Sequence, residues 1–328
     1  MAGAGGTAVL RYTCSMTHTE QNAILTVSVQ SVSKRFGQVT AVADVSFTVG
    51  AGEIFGLLGP NGAGKTTTIR MMLDIFKPDS GQISILGGPM EEAKKARIGY
   101  MPEERGLYQE QRLDRTLLYL ARLKGVDKKT AQKRLDGWLE RLDLQEQRQK
   151  KIKTLSKGMQ QKAQLIATLL HEPELIVVDE PFSGLDPVNT RLAKEILLER
   201  QRAGSAIIMC THQMHQVEAL CHRIALIDNG RVILYGGVRQ IKRQFAGRSL
   251  ILQGEGDFSQ IPGVLSQHHN GVWHLALAEE TAPDDVFRYL AARPDVTIER
   301  FEIEQPSLDD IFVDVVNKPQ SDEVPTNA

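Results

Sequence analysis

The sequence predicts an α/β fold with a buried parallel sheet, followed by a smaller α+β unit. Strands that are covered on both faces are nearly continuous runs of apolar residues. Three such strands are predicted at Ile54–Leu58, at 175–180, where the run ends in two carboxylates, and at Ala206–Cys210. Each run leads into glycine or polar residues and then into a segment with apolar residues at helical spacing. Ligands bind at the carboxyl ends of parallel strands, so the residues after these runs are the candidates for a functional site.

The chain before the first buried run contains two further strands. Alternation of apolar and polar residues predicts them at residues 24–29 and 45–49. Phe36 lies between them, beside a glycine. Such an aromatic side chain can stack on a nucleobase, which is worth about 1–3 kcal/mol, or it can pack in a small core. Its position alone does not decide between the two.

A glycine-rich turn joins the strand Ile54–Leu58 to a helix. Residues 59–66 read GPNGAGKT and match the pattern G-x-x-x-x-G-K-[ST] of the P-loop. Glycine tolerates positive φ and has no Cβ, so backbone N–H groups can converge on the phosphates of a nucleotide. Lys65 would add a positive charge there, and the Thr66 hydroxyl would ligate Mg²⁺. The flanking strand and helix argue against an ordinary glycine-rich turn.

Residues from about 104 to 172 form a helical subdomain in this interpretation, after strands predicted at 82–86 and 97–102. Amphipathic patterns predict helices at Leu113–Leu123 and 129–142. The sequence LSKGMQ at 155–160 opens a third helix, for which Ser156 is a plausible N-cap. A helix start of this kind can bind an anion, but capped helices are common and the signal is weak alone.

Polar residues follow the last two buried runs. Asp179 and Glu180 end one strand, where Asp179 is predicted to hold Mg²⁺ and Glu180 to orient or deprotonate an attacking water. A turn, SGLD at 183–186, and a helix then lead to the strand Ala206–Cys210. That strand delivers His212 to the same edge of the sheet, where the imidazole can donate a hydrogen bond to a phosphate oxygen.

The region 241–317 is predicted to be a separate α+β domain. Its strands are predicted at 249–253, 272–277 and Thr297–Ile303, and its helices at 284–292 and 308–316. We interpret His268, His269 and His274 as unliganded, the first two in a loop and the third in a strand, because no carboxylate or cysteine completes a metal site.

The composition excludes several classes of protein. The 328 residues suggest two domains, and a formal net charge of −1 argues against a protein whose main task is to grip nucleic acid. No apolar run approaches the roughly 18 residues that span a bilayer, and residues 1–22 lack the apolar segment of a signal peptide. We expect residues 1–22 and 318–328 to be disordered, and the three cysteines to be in a reducing compartment.

Together these motifs resemble the ATP-binding subunit of ABC transporters, over about residues 24–240. The matching features are Phe36 (A-loop), 59–66 (Walker A), 155–160 (the LSGGQ signature), 175–180 (Walker B and catalytic glutamate), 183–186 (D-loop) and His212 (switch histidine). The resemblance implies a P-loop NTPase fold with a RecA-like core, an antiparallel β subdomain and a helical subdomain.

The resemblance also implies a head-to-tail dimer of cassettes with two sandwiched ATP molecules. The residues it assigns to nucleotide binding are Phe36, Gly59, Pro60, Asn61, Gly62, Ala63, Gly64, Lys65, Thr66, Thr67, Ser156, Gly158, Gln160 and Asp186. The catalytic residues are Lys65, Glu103, Glu180 and His212, and the Mg²⁺ ligands are Thr66, Glu103 and Asp179. Ser156 and Gly158 would come from the second protomer, and both halves are intact in this chain, which suits a homodimer.

The implied partners are separate transmembrane permease subunits, with no nucleic acid, and the implied location is the cytoplasmic face of the cell membrane. The segment QPSLDDIF at 305–312 is similar to the end of drug and ion export ATPases, which favours export over uptake.

Glu103 departs from the family pattern, which has glutamine in this loop. A carboxylate can accept a hydrogen bond from water or join a Mg²⁺ shell, but it adds charge and lacks the amide donor. Residues 102–108 resemble a subgroup of bacterial exporter ATPases that includes sodium-export types. Our hypothesis is that Glu103 is the working residue at this position.

Two other functions stay open at this point. One is an ABC ATPase that acts on ribosomes or nucleic acid, which a single compact cassette of near-zero net charge disfavours. The other is a nucleotide sensor that does not hydrolyse ATP, which the presence of Glu180 and His212 disfavours.

Overall fold

The computed structural model describes residues 12–13, 25–104, 106–246, 249–258, 260–269, 271–278, 280–304 and 306–317. The chain divides into two compact units between Gly237 and Val238. The segments predicted to be disordered lie outside the described residues, except for Tyr12–Thr13.

The first unit alternates strands and helices. In chain order its elements are β1 (Tyr12–Thr13), β2 (Leu25–Phe36), β3 (Val39–Gly50), β4 (Ile54–Leu58), α1 (Lys65–Met72), β5 (Ser80–Ile85), α2 (Glu92–Lys95), β6 (Ile98–Met101), α3 (Leu113–Leu123), α4 (Lys128–Arg141), α5 (Lys157–Leu169), β7 (Leu175–Asp179), α6 (Pro187–Arg202), β8 (Ala206–Cys210), α7 (Met214–Leu220), β9 (Arg223–Asp228) and β10 (Arg231–Gly237).

The central sheet has the strand order β1-β10-β9-β4-β8-β7-β6. Strands β9, β4, β8, β7 and β6 run parallel, and every residue of β4, β7 and β8, the three strands predicted to be covered on both faces, is buried. In the register of the sheet, Cys210 pairs with Leu57 on one side and with Asp179 on the other. The chain segments that follow these three strands therefore begin side by side.

A second sheet of order β3-β2-β5 is antiparallel. Strands β2 and β3 are each 12 residues long, so the shorter strands predicted at 24–29 and 45–49 are wrong in length. Ser31 and Asp44 have positive φ (48° and 57°), and the register shifts beside them. Such bulges interrupt the alternation on which the prediction depends. Phe36 is the last residue of β2 and pairs with Val39 across the turn.

The short strand β1 corrects the prediction that all of residues 1–22 are disordered. Tyr12 and Thr13 pair in parallel with Leu234 and Tyr235 of β10, at the edge of the central sheet. An edge strand offers unpaired backbone groups to any extended segment, whatever its side chains. Composition alone does not reveal such a contact.

The helical region lies between β6 and β7 and consists of α3, α4 and α5, with short 3₁₀ turns at Gln145–Gln147 and Ile152–Thr154. Helix α3 has the predicted bounds, and α4 begins and ends one residue before the predicted helix. Asp127 caps α4 by accepting hydrogen bonds from the backbone N–H groups of Lys129 and Thr130, both at 3.0 Å.

The second unit has an α+β fold and begins at Val238. Its elements are α8 (Val238–Gln244), β11 (Ser249–Glu255), β12 (Val264–His269), β13 (Trp273–Leu277), α9 (Pro283–Ala291), β14 (Thr297–Ile303) and α10 (Leu308–Asn317). The strands form an antiparallel sheet of order β12-β13-β11-β14. Its core contains Leu250, Leu252, Leu275 and Leu290.

Strand β12 corrects the assignment of His268 and His269 to a loop. The two histidines pair with His274 and Trp273 of β13. Strand β12 has few side chains of the types that favour strands, so the sequence pattern did not predict it. It forms because its backbone pairs with β13 through hydrogen bonds, which do not depend on side-chain type.

His171, which follows α5, makes the stability of the first unit sensitive to acid. Its Nε2 donates to the carbonyl of Ile98 at 3.1 Å, and its buried Nδ1 has no hydrogen-bond partner among the described residues. Burial lowers the pKa of His171 from its ordinary value of 6.5 to about 4. Between these pH values the unfolded chain binds the proton more readily, so stability is lost as the pH falls.

We expect His171→Gln to reduce this acid sensitivity, because the neutral amide can still donate to the Ile98 carbonyl. From pH 6.5 to pH 4 the free energy of unfolding should fall by up to about 3 kcal/mol less in the variant than in the parent. Urea unfolding at several pH values measures it. His215→Gln is the control, since His215 is exposed; parallel curves for His171→Gln and the parent would contradict the prediction.

Candidate active site

The P-loop connects β4 to α1 through backbone conformations that need glycine. Gly59 has φ 143°, and a Cβ there would lie 2.0 Å from the carbonyl oxygen of Ile227. Gly64 has φ 107°, and its Cβ would lie 2.4 Å from the carbonyl oxygen of Ala41. The loop is therefore pressed against β9 and β3, and a side chain at either position would push it out of place.

Lys65, the first residue of α1, folds over this loop. Its Nζ donates to the carbonyl oxygens of Gly59 (2.7 Å) and Pro60 (2.9 Å). The N-cap of α1, Gly64, provides no side-chain hydrogen bond to the first turn. The free N–H groups of that turn and the lysine charge together suit an anion at the helix N-terminus.

A cavity of about 200 Å³ lies at this helix start. Its lining brings together the loop, the strand ends and one residue of β3: Ala41, Asn61, Gly62, Ala63, Gly64, Lys65, Thr66, Thr67, Glu103, Asp179, Glu180 and His212. The carboxyl edge of the sheet thus gathers most of the site residues predicted from the sequence in one place.

Asp179 is the last residue of β7 and is buried. Burial raises the pKa of its carboxyl above the ordinary value, and the charges of Glu103 and Glu180 raise it further. A hydrogen bond from the Cys210 thiol and the charge of Lys65 act in the opposite direction. A buried carboxylate beside like charges is one that a bound cation would stabilise.

Glu180 is held by the two residues that follow β8. Its Oε1 accepts hydrogen bonds from the backbone N–H (2.9 Å) and from Nδ1 (2.7 Å) of His212, and its Oε2 accepts one from the Thr211 hydroxyl (3.0 Å). A carboxylate can only accept, so Nδ1 of His212 carries a proton. The Nε2 atom remains for a phosphate oxygen, to which it donates when the ring carries two protons.

The backbone of Glu180 is in the left-handed region, with φ 48°. This conformation is unfavourable for a residue with a side chain. Its N–H donates to the carbonyl of Cys210 at 2.9 Å, and its own carbonyl accepts from Nε2 of Gln161 at 3.0 Å. The neighbouring strand and α5 therefore hold the residue in a strained conformation, a common feature of active sites.

Several predicted site residues lie outside this cavity. Ser156 caps α5 by accepting from the N–H of Met159 (3.2 Å), and Gln160 donates to the carbonyl of Leu155 (3.0 Å). Gly158 approaches the D-loop, since a Cβ there would lie 3.1 Å from the Gly184 carbonyl. Asp186 caps α6.

Phe36 also lies outside the cavity lining. Its side chain is 45% exposed and meets Phe76 edge-on, with ring centroids 5.4 Å apart. The Nζ of Lys34 lies 5.7 Å from the Phe36 ring centroid. The ring is thus not enclosed in a core, which leaves it accessible to a base.

Two residues of the site were not predicted. Ala41 lines the cavity because the P-loop packs on β3, and a small residue in an alternating strand carries no signal of this. Thr211 is fully buried and hydrogen-bonded to Glu180. Thr211 could have been predicted from its position, because it directly follows a buried strand and precedes His212.

Comparisons with known proteins agree with this geometry. Two family models match the chain: "ABC transporter" over residues 42–183 and "ATP-binding protein DrrA1-3-like, C-terminal domain" over residues 236–316. The ABC transporter ATP-binding protein YhaQ of Bacillus subtilis is 40% identical over 299 residues, covering 88% of this chain and 98% of that protein.

An export protein and a solved structure are also similar. The Nod factor export ATP-binding protein I of Bradyrhizobium diazoefficiens is 32% identical over 302 residues, with 88% of this chain and 95% of that protein covered. A structure described as the ATP binding subunit of an ABC transporter is 33% identical, with a TM-score of 0.64, and covers 67% of this chain and 92% of that chain.

The fold and the P-loop cavity define a P-loop ATPase, which binds and hydrolyses ATP. The chain belongs to the family of ABC transporter ATP-binding proteins. The predicted family and fold class are therefore confirmed. ATP-binding subunits of this family work with membrane permease subunits. Within the described residues, none of the helices has the length and apolar character needed to cross a bilayer.

We expect Gly59→Ala to abolish nucleotide binding and to destabilise the first unit, because its Cβ would collide with the Ile227 carbonyl. Gly125→Ala is the matched control: φ is 84°, nothing lies within 4 Å of its Cβ, and it is not part of the cavity lining. It should cost only about 1–2 kcal/mol of stability. Thermal unfolding and titration with a fluorescent ATP analogue measure both effects. Equal losses in the two variants would contradict this account of the loop.

Proposed function

We propose that this chain is the ATP-hydrolysing subunit of an exporter and acts at the cytoplasmic face of the membrane as a pair of identical cassettes. The observation that carries the proposal is the shared cavity of Lys65, Asp179, Glu180 and His212. It combines phosphate binding, a cation site and a base at one edge of the sheet.

Hydrolysis in this site is in-line attack of water on the γ-phosphate. Glu180 orients the water and accepts its proton, which requires the carboxylate to exchange one of its present hydrogen bonds for the water. Lys65, the N–H groups at the start of α1 and His212 stabilise the charge on the phosphate oxygens. The products are ADP and inorganic phosphate.

The donor set of the cavity fits Mg²⁺, which prefers hydroxyl and carboxylate oxygens. Thr66, Asp179 and Glu103 would hold the ion, and the buried carboxyl of Asp179, whose pKa is raised, would gain from a cation beside it. When bound, Mg²⁺ supplies positive charge to the phosphate oxygens.

A second copy of the chain would complete each site. Ser156 and Gly158 lie at the start of α5 and outside the cavity that holds Lys65. One chain therefore carries two separate half-sites, a P-loop half and a signature half. A head-to-tail pair joins each half to its complement and leaves no half unused.

The second unit supports the direction of transport. It matches the C-terminal domain of DrrA1-3-like ATP-binding proteins. The similar Nod factor export ATP-binding protein I, whose alignment covers 88% of this chain, is named as an export protein. Export of a drug, ion or other substrate through separate permease subunits is the proposal that fits these similarities.

Glu103 is proposed to serve as the working residue of its loop. It lines the cavity with Asp179 and Glu180, and its charge acts on Asp179. From this place a carboxylate can accept a hydrogen bond from the attacking water or join the Mg²⁺ ligands.

We expect Glu180→Gln to lower kcat for ATP hydrolysis by about a hundredfold or more, because the amide cannot accept the proton of water. ATP binding should persist, since the phosphate contacts remain. Phosphate release and ATP-analogue binding measure the two effects. Glu195→Gln, at an exposed position of α6, is the control with unchanged turnover. If Glu180→Gln kept the parental turnover, the role of Glu180 as the base would be wrong; a parent chain that binds ATP without turnover would instead favour a nucleotide sensor.

A further inference from the structure

Gln164, in the middle of α5, holds the loop that carries Glu103. Its Nε2 donates to the carbonyl oxygen of Pro102 at 2.6 Å and to that of Glu104 at 3.2 Å. Both hydrogens of the amide are used, and the two acceptors are the residues immediately before and after Glu103. The side chain thus clamps the loop at this position.

The clamp is buried. Gln164 is 3% exposed, and its Oε1 is a buried acceptor without a hydrogen-bond partner in the described part of the chain. An unpaired buried acceptor costs free energy of desolvation, which an apolar residue at the same place would not incur. A contribution to stability therefore does not explain why this residue is glutamine. Its two donated hydrogen bonds do, because they fix the backbone of a loop in the active site.

Glu103 depends on such a support. It follows the end of β6, Met101, in a segment without helix or strand. Among the described residues its carboxylate makes neither a hydrogen bond nor an ion pair, although it lines the cavity and its charge acts on Asp179. Its place relative to Asp179 is consequently set through the backbone.

The other acidic loop is held in the same manner by the same helix. Gln161, one turn earlier on α5, donates from Nε2 to the carbonyl oxygens of Glu180 (3.0 Å) and Pro181 (3.1 Å). Helix α5 thus carries two buried amides that fasten the two loops whose acidic residues, Glu103 and Glu180, line the same cavity. A rigid helix between them fixes their separation.

We infer that Gln164 is a positioning residue for hydrolysis, which places the Glu103 carboxylate beside Asp179 by clamping the carbonyls of Pro102 and Glu104. This role rests on the proposed function of Glu103. Gln164 itself touches neither nucleotide nor water in this scheme. Its loss should therefore lower turnover while leaving ATP affinity nearly unchanged, because the P-loop contacts are independent of it.

A double-mutant cycle of Gln164→Met and Glu103→Ala tests this role. Methionine keeps the volume of glutamine but cannot donate. In the parent, Gln164→Met should lower kcat by about tenfold and change KM for ATP by less than about twofold. In the Glu103→Ala background it should change kcat by less than about twofold, because the residue it positions is gone. ATP hydrolysis by the purified full-length chain measures all four corners.

Thr168→Val is the control on the same helix. Its hydroxyl donates to the carbonyl oxygens of Gln164 (2.9 Å) and Tyr100 (3.4 Å), not to the Glu103 loop. Its effect on kcat, whatever its size, should be the same in both backgrounds. Thermal unfolding checks that each variant is folded, and Gln164→Asn, too short to reach both carbonyls, replaces Gln164→Met in the cycle if the latter does not fold.

Two results would overturn the role of Gln164 alone: an unchanged kcat in Gln164→Met, or an equal loss of kcat in both backgrounds. In either case a lower turnover of Glu103→Ala would leave the proposed function of Glu103 intact. Unchanged hydrolysis by Glu103→Ala would instead overturn the function of Glu103, and the role of Gln164 with it, while the Glu180→Gln result decides separately whether Glu180 is the base in hydrolysis.

Discussion

The parallel pairing of β4, β8 and β7 is the constraint on which the site depends. Because Cys210 pairs with both Leu57 and Asp179, the segments after the three strands start at one level. The P-loop, the pair Asp179 and Glu180, and the pair Thr211 and His212 must then meet at one edge. Burial of all three strands stabilises this sheet, so the hydrophobic effect that folds it also brings the chemical groups together.

A second layer of contacts determines how the gathered residues stand. Glu180 has a strained backbone conformation, and its carboxylate accepts hydrogen bonds from Thr211 and His212. Helix α5 fastens the Glu180 and Glu103 loops through Gln161 and Gln164. The same helix starts at Ser156, in the signature half of the chain. One rigid element therefore connects the residues proposed to meet the second protomer with both acidic loops of the first.

The sequence predicted the elements whose residue pattern can arise in only one way. The bounds of β4 and β8 were correct to the residue, because strands buried on both faces allow only apolar side chains, and the polar residues after them were correctly placed at the sheet edge. The bulged hairpin β2–β3, the polar strand β12 and the edge pairing of β1 were not predictable, because backbone hydrogen bonds and not an apolar side-chain pattern determine them. The roles of Thr211 and Gln164 likewise arise from tertiary contacts, the latter across 62 positions in sequence.

The central claim is that each chain contributes two half-sites that only a second copy completes. Mixing two inactive variants, Lys65→Ala in the P-loop half and Ser156→Arg in the signature half, tests it most directly by ATP hydrolysis. Half of the pairs in the mixture carry one site with both halves intact, so about a quarter of the parental activity should return. A mixture as inactive as its components, or full activity of Ser156→Arg alone, would contradict the account.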